Sequence, residues 1–547
     1  MKSEILRRPI ETLPHRALLM SAGVSLDDIN SDKPFIGIAN SYNNIIPGHV
    51  HLNELAELVM KGVRDAGGVP FVWGVPGVCD GIAMYAEMRL SLPSRDHIAD
   101  NVEIMMRSHS FDGWVGITNC DKITPGMLMA SARLNLPSII LTGGPMKANV
   151  VDGKKHHPIE GFGLVGQVKG GLLTKKDAEA RLGCMVCGAG SCVGLYTANT
   201  MAVVTETLGM SLTGCGTTPA TDPDKKIQAY ETGKRIVKLV KSNLLPSQIM
   251  TEGAFRNAIR VDMAMGGSTN TVLHIPAIAM EAGIRLGIGI FDEISRKTPN
   301  ICQIIPAGTY EMADIHDAGG VSGVLSRLSD DIEDSATVNT RSIREIAAGG
   351  KVLDADAIRP KDKPYHSEGG IAVLKGNIAH SSVIKQTAVC EDMRRHAGPA
   401  KVFYSERDVL VAIEKKQIRE GMVVVILGQG PSQGIPEMLT PTDAIKGAGY
   451  GKVALLTDGR FSGATTGPCI GHICPEVYRG GQIAAVRDGD IIEIDIPKRS
   501  LNVRLTAKEI KDRLEESPPK PEQHRGYLAR FSSLAGSAEE GAAMRTD

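Results

Sequence analysis

Cys120-Asp121-Lys122 sets a thiol, a carboxylate and an amine on consecutive residues. The stretch before it, Gly113 to Ile117, is apolar and short enough for a buried strand. The stretch after it, Met127 to Leu134, has helical spacing, with Pro125 near the first turn. The three reactive groups therefore fall in a strand-to-helix loop, the place where open α/β sheets bind ligands. A thiolate is a soft ligand suited to iron or zinc, and a carboxylate is a hard one suited to magnesium. Their adjacency suggests two metal sites that meet. The plainer alternative is a surface loop with a buried cysteine.

Other residues could join this loop. Cys184-x-x-Cys187 with Cys192 is the densest thiol cluster. It lacks the second cysteine pair or spaced histidines of a closed zinc site. An iron–sulfur cluster combining one of these thiols with Cys120 is a second option, and inert core cysteines are a third. Asp80, like Asp121, follows a cysteine just past a candidate strand. Two such carboxylates at neighbouring strand ends would hold a hard cation if a third joined them. Glu437 is a candidate for that third, or else an acid near a helix N-terminus. Ser462, in Thr457-Asp458-Gly459-Arg460-Phe461-Ser462-Gly463, is a candidate nucleophile, base or anion binder; no Gly-x-Ser-x-Gly elbow surrounds it. Gly428-x-Gly430-x-x-x-Gly434 mimics a dinucleotide loop, but its spacing is off by one, Pro431 interrupts it and no clear βαβ unit surrounds it.

The elements that must position these groups follow from hydrophobic patterning. Pro34 to Ala39, Val69 to Gly74, Gly113 to Ile117 and Ile139 to Leu141 are short apolar runs, each leading into a polar or glycine loop. Helical spacing marks Leu52 to Ala66 and Thr197 to Thr207, and Gly266-Gly267-Ser268-Thr269-Asn270 leads into an apolar segment from Val272. Alternation of this kind predicts a largely parallel α/β sheet. The texture changes at the polar, proline-bearing stretch from Lys351 to Tyr365. Beyond it strands dominate: Gly370 to Leu374, Val383 to Val389, Lys401 to Tyr404, Met422 to Leu427, Lys452 to Leu456, Ile483 to Val486 and Ile491 to Ile496. This predicts an N-terminal α/β domain over 1–355 and a C-terminal β-barrel-like domain over 366–547. The tail with Tyr527, Leu528 and Phe531 is expected as an arm packing on a second subunit.

Composition excludes other classes. With 547 residues and a formal net charge of -1, the chain has full cores and no basic surface for nucleic acid or an acidic membrane. Aromatics at 4% make base-stacking platforms scarce. No signal-like leader or membrane-length apolar run occurs, so a cytoplasmic location is expected. There, the 10 cysteines call for packing or metal rather than disulfides.

Taken together, the motifs resemble the dihydroxy-acid and sugar-acid dehydratase family over nearly the whole chain. Ser91-Leu92-Pro93-Ser94-Arg95, Cys120-Asp121-Lys122, Ser191-Cys192-Val193-Gly194-Leu195-Tyr196-Thr197-Ala198-Asn199-Thr200-Met201, Gly267-Ser268-Thr269-Asn270 and Asp458-Gly459-Arg460-Phe461-Ser462-Gly463-Ala464 recur in the family's order. The resemblance implies an iron–sulfur cluster on Cys120 and Cys192, with 2Fe–2S favoured over 4Fe–4S. It implies Mg²⁺ on Asp80, Asp121 and Glu437, a carbamylated Lys122 as a further oxygen ligand, Ser462 as an alkoxide base, and a homodimer. The implied reaction converts a 2,3-dihydroxy-3-methyl carboxylic acid to a 2-keto acid in valine, isoleucine and pantothenate synthesis. Gly48-His49-Val50-His51, Ile123-Thr124-Pro125-Gly126-Met127 and His274-Ile275-Pro276-Ala277-Ile278-Ala279 look closer to the dihydroxy-acid branch.

Two departures stand out. Many members have a cysteine after the first-loop proline, whereas here Pro47 precedes Gly48, a form some members share. Cys79, Cys184 or Cys187 then remain as sources of a third thiol, or the cluster type differs. After Asp80 the family usually reads Met-Gly-His-x-Gly-Met. Met84-Tyr85-Ala86-Glu87-Met88 is one residue shorter and lacks the histidine and glycines. Dehydration of an aldonic acid and a non-catalytic metal- or metabolite-binding paralogue are the competing hypotheses, and a nicotinamide oxidoreductase built on Gly428 and Gly430 comes last.

Overall fold

Four apolar segments of the N-terminal region, Phe35–Asn40, Val69–Gly74, Gly113–Thr118 and Ser138–Thr142, pair in parallel, with the second at the edge, followed by the first, third and fourth. Parallel neighbours need crossover connections, and helices Leu52–Asp65, Ser91–Ser108 and Ile123–Leu134 lie in them. Three of the strands are buried along their whole length. That explains why they read as continuous apolar runs rather than alternating ones. The core extends to helices Pro223–Ser242 and Glu252–Met265. Helix Pro223–Ser242 crosses Leu52–Asp65 at backbone contact: a Cβ on Gly62 would lie 2.1 Å from the Tyr230 carbonyl oxygen. The structure is a computed structural model describing residues 1–85, 87–516 and 520–545. Among the described residues, no helix is long and apolar enough to cross a membrane.

The C-terminal region closes an eight-strand barrel. Its order is Val423–Ile426, Ala454–Thr457, Cys469–Cys474, Ala379–Lys385, Ile371–Gly376, Ser500–Val503, Ile491–Asp495 and Arg395–Phe403, which returns to the first strand. The strands around Val423–Ile426 are parallel and the remainder largely antiparallel. Two expectations are corrected. Ile483 to Val486 is not a strand: it falls on the 3₁₀ turn Gln482–Ala485, and its apolar side chains still face the barrel core. Helices Glu406–Glu414 and Thr440–Gly447 link the parallel strands, so a βαβ unit does surround Gly428 and Gly430. The turn nevertheless repels an anion. A Cβ on Gly430 would lie 2.3 Å from a Glu476 carboxylate oxygen, and Glu476 accepts from the Ser432 amide and hydroxyl.

The tail is tied to its own chain. Helix Gly526–Leu534 packs on its own chain rather than projecting away. Phe531 is fully buried with Leu92, Leu273 and Ile435, and the Tyr527 hydroxyl donates to the Pro93 carbonyl at 2.8 Å. This helix therefore joins the two regions. Phe531→Ala is expected to lower stability by about 3–5 kcal/mol, the usual cost of deleting a buried aromatic ring. Denaturant unfolding of the full chain measures it, and a loss within ~0.5 kcal/mol, typical of surface substitutions, would contradict the anchoring.

Candidate active site

Asp80 opens the short helix Asp80–Ala83, Asp121 lies just past strand Gly113–Thr118, and Glu437 sits on the two-residue strand Glu437–Met438. One carboxylate oxygen from each lies within 4.8 Å of the other two. Three acids so close and so little exposed repel one another unless cations are buried with them. Lys122 and Arg460 are those cations, and both side chains are fully buried. Lys122 Nζ lies 2.7 Å from Asp80, 3.3 Å from Asp121 and 3.5 Å from Glu437. The Arg460 guanidinium contacts Glu437 and lies 3.6 Å from Asp80.

The environment splits the three acids. Burial pushes Glu437 up to about 7 even though Arg460 and Lys122 oppose it. Burial likewise raises Asp121. Burial also disfavours ionised Asp80, but Lys122 and Arg460 outweigh it and hold Asp80 down to about 2. Burial and Arg460 pull Lys122 down, and the three carboxylates outweigh both, so it remains an ammonium. Three convergent carboxylate oxygens from separate elements are a donor set that fits a hard divalent cation.

Hydrogen bonds orient these ligands. The Ser91 hydroxyl donates to Asp80, and Asn270 Nδ2 donates to Glu437 at 3.0 Å and to Thr197 at 2.9 Å. Strand Arg460–Phe461 pairs in parallel with Glu437–Met438, placing Arg460 opposite Glu437. The next residue continues the register: the Ser462 amide donates to the Met438 carbonyl at 2.9 Å. Gly463 then passes so close to Thr197 and Ser268 that a Cβ would lie 2.8 Å from each. Ser462 is thereby fixed to the same rigid unit as Glu437.

Cys79, Cys120 and Cys192 border the same cavity. Burial raises the thiols of Cys120 and Cys192 well above the ordinary cysteine range, and pushes Cys79 up to about 11. Such thiols keep their protons until a soft metal binds and stabilises the thiolate. The set thus fits a thiophilic metal or cluster. Cys184 and Cys187 do not line the cavity; the Cys187 thiol lies 3.4 Å from the His156 carbonyl instead.

The cavity, about 340 Å³, is bordered by Asp80, Cys120, Asp121, Cys192, Glu437 and Ser462, while Lys122 lies buried behind the carboxylates it touches. Its remaining walls are mostly apolar: Ile46, Ile82, Met84, Ile159, Phe162 and Leu439. Of the shortened segment, Met84 faces the cavity, and Ala86 lies outside the described residues. Arg460, Asn270 and Ser91 belong to motifs quoted above, but no spacing rule identified them as partners of the carboxylates.

Residues 33–346 match the family model described as dihydroxy-acid/6-phosphogluconate dehydratase N-terminal, and residues 356–542 match its C-terminal counterpart. The chain is 51% identical to the dihydroxy-acid dehydratase of Thermodesulfovibrio yellowstonii over 100% of both proteins. It is 50% identical to those of Methanothermobacter thermautotrophicus and Archaeoglobus fulgidus, again over 100% of each.

A divalent cation must displace the proton that burial favours on Glu437. With one proton displaced, affinity should fall by about tenfold for each pH unit below about 7 and level off above it. Calorimetric titration with Mg²⁺ checks this, and affinity independent of pH between roughly 6 and 8 would contradict it.

Proposed function

We propose, from the premise that the chain belongs to the dihydroxy-acid/6-phosphogluconate dehydratase family, that it converts 2,3-dihydroxy-3-methyl carboxylic acids to 2-keto acids in branched-chain amino acid synthesis. It is a hydro-lyase. We read the chain as two domains, 1–355 and 366–547, meeting at the cavity, the second supplying Glu437 and Ser462.

The observation that carries the substrate reading is the cavity's composition. Beside the ionic ligands the lining is mostly apolar, with Ile46, Ile82, Ile159, Phe162 and Leu439, and His157, Ser191 and Tyr196 are the few further polar side chains. A methyl-branched dihydroxy acid matches that division. An aldonic acid carries further hydroxyls, and each one left without a partner against an apolar wall costs about 1–3 kcal/mol.

Asp80, Asp121 and Glu437 would hold Mg²⁺, joined by Lys122 once carbamylated. Cys120 and Cys192 would hold an iron–sulfur cluster, 2Fe–2S being favoured and 4Fe–4S the alternative. When bound, these groups supply Lewis acidity at the substrate's carboxylate, C2 hydroxyl and departing C3 hydroxyl. Charge supports the carbamate. Carbamylation turns one buried cation into an anion, and a dication then restores the balance that the free ammonium gives now.

Ser462, which borders the cavity, would take the C2 proton as an alkoxide. The Ala464 amide approaches its Oγ at 3.3 Å and would stabilise the negative charge there. Loss of the C2 proton and the C3 hydroxyl leaves an enol, which gains a proton at C3 and gives up the proton of its C2 hydroxyl to become the 2-keto acid, so one water leaves per turnover.

Keto-acid formation from 2,3-dihydroxy-3-methylbutanoate and from gluconate tests the reading. Turnover should be confined to, or far faster with, the branched acid. Turnover of gluconate alone would favour the sugar-acid alternative, and turnover of neither by metal-replete protein would favour the non-catalytic one. Ser462→Ala should lower kcat by about 10²–10⁴-fold, the range for a general base, with bound metal unchanged.

A further inference from the structure

Gly48 leaves one side of Cys120 without a side chain. A Cβ built on Gly48 would lie 3.2 Å from the Cys120 sulfur, so a side chain at position 48 would reach the thiol site directly. With glycine there, position 48 contributes no side-chain donor, so any third thiol comes from another element.

The arrangement of the sheet supplies one. Cys79-Asp80 and Cys120-Asp121 are two thiol–carboxylate pairs, following strands Val69–Gly74 and Gly113–Thr118, which flank Phe35–Asn40 on either side. The carboxylates of the two pairs meet in one triad. Their preceding thiols both border the cavity beside that triad, together with Cys192. Cys184 and Cys187, the other possible sources, lie outside the cavity.

We propose that Cys79 is the third protein thiolate of the iron–sulfur site, serving in place of the side chain that Gly48 lacks. This rests on the cluster reading given above. It also accounts for reactivity. Iron–sulfur clusters of either nuclearity are ordinarily held by four thiolates. Cys79, Cys120 and Cys192 make three, which leaves one terminal position for a substrate oxygen.

The test uses the full chain purified and reconstituted without oxygen. Iron, acid-labile sulfide and the visible spectrum are measured for wild type, Cys79→Ala, Cys79→Ser, Cys120→Ser and the double variant Cys79→Ala with Gly48→Cys. Circular dichroism confirms folding in each. Cys79→Ala should lose most of its iron and sulfide, and Gly48→Cys in that background should restore them, since its side chain starts beside Cys120. Cys79→Ser should retain iron with charge-transfer bands moved to shorter wavelength, because oxygen replaces sulfur. If Cys79→Ala and Cys79→Ser keep the wild-type iron content and spectrum while Cys120→Ser loses them, the cluster stands and Cys79 is not its ligand. An iron-free wild type overturns the cluster reading and this assignment together.

Discussion

Lys122 is an ammonium with no exposure to solvent, and three carboxylates surround it. Neither side of that contact is stable in the interior alone: the acids repel, and a lone buried amine would shed its proton. Arg460 completes the set by touching Glu437 and approaching Asp80. This balance of buried charge is the constraint on which the rest of the architecture depends. It draws its members from both regions of the chain, so the site cannot assemble unless the parallel sheet and the barrel are docked.

The fold meets the constraint with elements of unequal length. The N-terminal sheet delivers Asp80 and Asp121 past the carboxyl ends of Val69–Gly74, a partly exposed edge strand, and Gly113–Thr118, an interior strand buried throughout. On the barrel side, a pair of two-residue strands aligns Glu437, Arg460 and Ser462 within one register. The backbone of that pair is also where Gly463 approaches Thr197 and Ser268 too closely for any larger residue. A hydroxyl held this way keeps a fixed position relative to the acids, which the proposed proton transfer at carbon requires.

Some of this was legible in the sequence, for physical reasons. Strands buried on both faces must be apolar throughout, and Phe35–Asn40 and Gly113–Thr118 announced themselves that way. Cys120, Asp121 and Lys122 could be singled out because adjacency in sequence guarantees proximity. Contacts formed by distant segments could not be found in this way: Asn270 and Glu437 are 167 residues apart and meet only in the folded chain. Two-residue strands carry no period, so the Glu437–Arg460 pairing was silent. The apolar run at Ile483 suggested a strand because burial alone cannot tell a strand from a tight turn. Phe531, read as part of an intersubunit arm, is buried among residues of its own chain that are distant in sequence. The sequence left Cys79, Cys184 and Cys187 all open as a third thiol, and only the folded chain brings Cys79 into the cavity with Cys120 and Cys192.

The central claim is that the acid triad and the thiols act together on one bound dihydroxy acid. The most direct measurement is an oxygen-free titration of reconstituted Ser462→Ala with 2,3-dihydroxy-3-methylbutanoate, following the visible spectrum with and without Mg²⁺. The account predicts a saturable change in the iron–sulfur bands that requires Mg²⁺, because one ligand spans both sites. Bands that ignore the acid under both conditions, in protein shown to retain its iron, would contradict it.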